Sequence, residues 1–90
     1  MRNGAVVEPK VTKEQVDEIC RLCNNQWETL GKYTGANIHR CNQIRGWIIN
    51  FVPCIQSFWE RKDWACVNRK YDNLVKANKE AAKFIQENME

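Results

Sequence analysis

The sequence predicts an all-α fold: a small three-helix domain with two shorter helices, one long C-terminal helix and a flexible N-terminal arm. Three observations lead there. Apolar residues recur at steps of three, four and seven along successive runs, the spacing that gathers them on one face of a helix. Gly31, Gly35 and Pro53 punctuate those runs, and from Ser57 onward the chain holds no glycine or proline. Thr12 with Gln15, and Ser57 with Glu60, have the spacing of a capping box at the head of a helix.

Residues 1–11 contain Gly4 and Pro9 and lack a helical period, so they are expected to form the arm, with Ala5, Val6 and Val7 as its only docking segment. Residues 12–90 are then a single helical domain, since 90 residues suffice for one core and no more. The first helix follows Thr12, with Val16, Ile19, Cys20, Cys23, Trp27 and Leu30 on one stripe and Gly31 as its stop. A second helix is expected from Asn37, a good N-cap residue. Its stripe is Ile38, Cys41, Ile44, Arg45, Ile48 and Val52, while Trp47, Ile49 and Phe51 spread apolarity around the other sides. Pro53 should end or kink it, because proline lacks an amide donor and crowds the preceding turn. The third helix is expected from about Ser57 to about Asn88, with Trp64, Val67, Tyr71, Leu74, Asn78, Ala81 and Ile85 as a heptad-like seam. Lys76 with Glu80 and Lys83 with Glu87 have i,i+4 spacing beside it. A helix of that length outruns two shorter neighbours, so Asn78 and Ala81 become candidates for pairing with a second copy.

Charge is distributed unevenly. Between Gly31 and Lys70 seven basic residues meet two acidic ones, a net +5, while each end of the chain carries −1. A basic middle fits an acidic protein face or a phosphate backbone. Arg40, Arg45, Arg61, Lys62, Arg69 and Lys70 are its members.

Five cysteines are an odd number for a disulfide framework, and residues 1–10 lack the apolar core of a signal peptide. A cytoplasmic protein with reduced thiols is expected. The stretch from Trp47 to Trp59 is too short and too interrupted to span a bilayer, so no membrane association is expected.

Cys20-x-x-Cys23 followed by His39-x-Cys41 invites a zinc reading. Against it, both members of the first pair fall on a helical apolar stripe and no knuckle glycine accompanies them. Buried thiols are the expectation, with no metal and no cofactor. His39 is the single histidine and has no acid near it in sequence to orient its ring. No phosphate-binding glycine loop or nucleophile elbow is present either, so no enzyme activity is expected.

What remains is binding. Trp47, Ile49, Phe51, Ile55, Phe58 and Trp59 surround Pro53 and are too many for three helices to turn inward together. Aromatic side chains beside arginines dominate binding energy at protein interfaces. The expected function is therefore a non-catalytic protein-binding module of adaptor or inhibitor type. The alternative is a nucleic-acid-binding helical protein using Arg61, Lys62, Arg69 and Lys70.

Overall fold

The computed structural model describes residues 7–89 and has three α-helices: α1 (Lys13–Leu30), α2 (Ile38–Glu60) and α3 (Trp64–Asn88), with a 3-10 turn at Gly35–Asn37 before α2. The all-α, three-helix fold is as the periodicity predicts.

α1 begins as its sequence dictates. Thr12 Oγ1 accepts from the Gln15 amide, and Gln15 Oε1 accepts from the Thr12 amide, so two otherwise unpaired N–H groups of the first turn are satisfied.

The later boundaries depart from expectation. α2 does not stop at Pro53 but runs seven residues past it, to Glu60. Proline removes only its own N–H, whose partner would have been the carbonyl of Ile49. Ile49 and Pro53 are both exposed, so water can hydrate that carbonyl and the helix continues. Ser57 consequently lies within α2 and caps nothing. The break comes at Arg61–Asp63 instead, where Lys62 takes the left-handed conformation (φ 59°) and turns the chain. The Asp63 carboxylate then accepts from the Cys66 amide and opens α3.

Contacts fix an up-down-up arrangement. α1 and α2 are antiparallel, since Asp17 accepts from Gln56, and Trp27 meets Arg45. α2 and α3 are antiparallel as well, with Arg40 paired to Glu80 and Lys70 close to Phe51. α1 and α3 therefore run parallel: the Cys23 thiol points at the Leu74 carbonyl, and the Tyr33 hydroxyl donates to the Ile85 carbonyl.

One core fills the space between them. Val16, Cys23 and Leu30 of α1 meet Cys41, Ile44, Ile48 and Ile55 of α2, and Val67, Leu74 and Ala81 of α3. Burying each large aliphatic side chain is worth about 1.5–3 kcal/mol. Along α3 the buried stripe is Val67, Leu74, Ala77, Ala81 and Phe84, so Asn78 and Ile85 of the expected seam sit at its edge, only half-buried. Ala81 is 0% exposed within one chain. Its methyl is already enclosed in the core of one chain, so the expected seam for a second copy is closed at that position.

Part of the expected arm is anchored. The Asn68 side chain accepts from the Lys10 amide and donates to the Glu8 carbonyl, both at 2.9 Å. The Lys10 ammonium meets Asp72 at 2.5 Å, and Val11 is buried. Val7 is exposed, while the expectation for Ala5, Val6 and the rest of residues 1–6 lies outside the described residues. Among the described residues no helix is long and apolar enough to cross a membrane.

Candidate binding face on the second and third helices

α2 buries one side against both neighbours, and the sides next to it carry the residues that the sequence singles out. Trp47, Phe51 and Phe58 follow one another at steps of four and seven, so they lie along a single stripe of α2. That stripe borders α3, and all three rings are half-buried.

Cations meet each ring. The Arg61 guanidinium is 4.3 Å from the Phe58 ring centre, and the Lys70 ammonium is 5.1 Å from Phe51 and 5.9 Å from Phe58. Arg40 and Lys76 each stand 5.8 Å from the Trp47 ring. These distances lie within the roughly 6 Å over which a ring face attracts a cation. Trp47 and Phe51 also line a shallow cleft of about 170 Å³ with Asn73 and Lys76 of α3. Trp59 packs edge-on against Trp64, 4.9 Å between centres, closing the end of the face where α2 passes into α3.

The expected patch is therefore divided. Ile55 is 0% exposed and belongs to the core, so it offers no surface. Ile49 is 55% exposed but lies on the opposite side of α2, beside Trp27, Val52 and Pro53. The periodicity explains both outcomes: Ile55 is seven residues from the buried Ile48, while Ile49 stands half a turn from Phe51.

The basic residues are divided too. Arg45 faces α1, its guanidinium 4.3 Å from Trp27 and its Nε buried without a partner. Arg40 forms an ion pair with Glu80, which draws that carboxylate across the helix interface and away from the expected Lys76. Among the described residues, Lys83 and Glu87 form no ion pair either. Arg61 and Lys62 lie in the turn, not on α3, yet Arg61 and Lys70 still converge on Phe58. Arg61, Lys62, Arg69, Lys70 and Lys76 have no ion pair among the described residues. The Arg69 guanidinium instead donates to the Cys66 sulfur at 3.4 Å. Lys76 is the member that the charge count missed. It follows Arg69 by seven residues, so the same two-turn spacing that groups the other cations marks it.

The thiols do not gather. Cys20 points at the Val52 carbonyl of α2 and Cys23 at the Leu74 carbonyl of α3. Burial, with the nearby Asp17 carboxylate second, pushes the Cys20 thiol up to about 11. Burial, then Cys20 itself, pushes Cys23 to about 11 as well. Burial also raises Cys41. His39 is exposed on the first turn of α2. Among the described residues no three His, Cys, Asp or Glu side chains converge as metal ligands would.

Comparison with known proteins finds no family model, no curated protein and no solved structure that matches this chain.

Proposed function

We propose that this chain is a non-catalytic protein-binding module, of adaptor or inhibitor type, and that the α2/α3 face is its contact surface. One observation carries the reading: Phe51 and Phe58 are half-buried rings crowned by Lys70 and Arg61, two cations without an ion-pair partner among the described residues. Rings so placed add apolar area on docking while costing little side-chain entropy, and the cations above them reward a partner's carboxylates.

The same cations favour protein over nucleic acid. Base stacking needs an open ring face. Here Arg61 and Lys70 occupy faces of Phe58 and Phe51, so a base would have to displace them. A carboxylate reaches the same cations from outside and leaves them where they are.

The test is a pull-down from the native host lysate with tagged wild type and with Arg69→Glu/Lys70→Glu, each with and without nuclease. A stoichiometric protein that survives nuclease and is lost from the double variant supports the reading. Retained material that disappears with nuclease transfers the face to nucleic acid and ends it.

A further inference from the structure

α2 and α3 form an antiparallel pair with a groove on each side. α1 fills one of them. The other holds Trp47, Phe51, Asn73 and Lys76, a shallow cleft between two helices that already pack on a third. Resting on the protein-binding reading, we infer that this groove takes a short acidic amphipathic helix of the partner, which completes a four-helix bundle.

The groove has the layout that such a helix needs. Three-helix bundles become four-helix bundles when an added helix seats its apolar stripe along the seam of two neighbours. From Trp47 to Phe58 the rings cover eleven residues, about 16 Å at ~1.5 Å per residue, which matches three turns of an incoming helix. The rings stand at i, i+4 and i+11, with half-buried Cys54 at i+7, on the stripe by which a helix presents its own apolar side chains. Lys70 and Lys76 meet the rings from α3, Arg69 stands two turns before Lys76 on the same side of that helix, and Arg61 closes one end. None of the four has an ion-pair partner among the described residues, so acidic residues beside the incoming stripe meet uncommitted positive charge. Of the α3 acids on the α2 side, Glu80 is neutralised by Arg40, and Glu87 lies a further two turns along beside the same arginine, beyond the rings. The α1 side of the bundle differs. Its cleft against α3 is bordered by Glu14 and Glu18, which repel an acidic helix.

The experiment uses the full chain and three fluorescently labelled 15-residue probes. The first carries leucines at i, i+4, i+7 and i+11 with glutamates beside them. The second has the same composition scrambled so that no apolar face forms. The third is a 15-nucleotide single strand of DNA. Binding is read by anisotropy on wild type, Arg69→Glu/Lys70→Glu, Phe51→Ala and the charge-matched Lys32→Glu/Lys79→Glu, whose fold is checked by circular dichroism. The patterned peptide should bind at least tenfold tighter than the scrambled one. It should lose at least tenfold on both groove variants and keep its affinity on Lys32→Glu/Lys79→Glu. Equal binding of both peptides, with loss on Arg69→Glu/Lys70→Glu alone, overturns the helix inference and leaves the protein-binding reading standing. Preferential binding of the oligonucleotide, lost on the same double variant, overturns both. Absence of binding by either peptide overturns the helix inference. Should Phe51→Ala unfold, the surface double variant still decides the outcome.

Discussion

The Arg45 guanidinium lies 4.3 Å from the centre of the Trp27 ring, tying α2 to α1 on the side away from the aromatic groove. Charge alone places Arg45 with the other basic residues. Geometry makes it part of the framework, its side chain half-buried and its Nε enclosed without an acceptor.

Arg45→Ala should therefore lower stability by about 1–2 kcal/mol, through the lost ring contact and packing. Arg45→Met keeps the hydrocarbon cover and removes the unpaired Nε, so it should recover most of that loss. Urea denaturation midpoints measure both. An Arg45→Ala protein as stable as wild type, but altered in partner binding, would return Arg45 to the contact surface.

The start of α3 makes a second separable prediction. Asp63 receives the Cys66 amide, while Ser57 lies on the exposed side of α2 and receives nothing at a helix start. Loss of an N-cap side chain costs about 1 kcal/mol. Asp63→Ala should destabilise by that amount and Ser57→Ala by far less, read from thermal midpoints followed at a helical circular-dichroism band. The reverse order would restore a helix boundary at Ser57.

These two residues also show how far the sequence could be read. Periodicity identified the three helices because their apolar stripes face a single core, and Thr12 with Gln15 located the start of α1 correctly. The α2–α3 boundary was illegible for a physical reason. Both Ser57/Glu60 and Asp63 look like helix starts, and Pro53 looks like a stop. The choice among them depends on whether water reaches the Ile49 carbonyl, which only the packing decides. The groove residues were half legible: Trp47, Phe51 and Phe58 share a stripe by spacing, but which side of α2 faces α3 is not written in the spacing. Ile55 and Ile49 were misplaced for that reason. Lys10 and Asn68 gave no sequence signal, because their hydrogen bond joins residues 58 positions apart.

Stability should fall in alkali through the buried thiols. Cys20 and Cys23 are each pushed to about 11 by burial, against an ordinary value of 9.0 that they regain on unfolding. Below pH 9 both states hold the protons and the thiols' contribution is complete. Between pH 9 and 11 the unfolded chain releases them first, so stability declines by up to about 1.4 kcal/mol per pH unit for each thiol. Urea midpoints of wild type should drop across that window more steeply than those of Cys20→Ala/Cys23→Ala. Parallel curves for the two proteins would mean that these thiols already ionise in the folded state.

Gln26 Oε1 and Asn78 Oδ1 are buried without a hydrogen-bond donor. The contacts of Cys23 with Leu74 and of Tyr33 with Ile85 set an offset of 51–52 residues between α1 and α3. Gln26 and Asn78 differ by 52, so they occupy the same level of that interface. An acceptor buried without a donor costs about 1–3 kcal/mol, more than the net gain of an ordinary hydrogen bond. Asn78→Leu removes one such acceptor and adds apolar surface at the edge of the core. It should raise stability by about 1 kcal/mol, and Gln26→Leu alone should give a similar gain. A double-mutant cycle on urea unfolding then gives a favourable coupling of about 0.5 kcal/mol, since the two leucines meet at one level of the interface. If each single substitution instead destabilises and the cycle shows strong coupling, the two amides bond to one another across α1 and α3. In that case they hold the register of the parallel pair and are not a cost carried by the core.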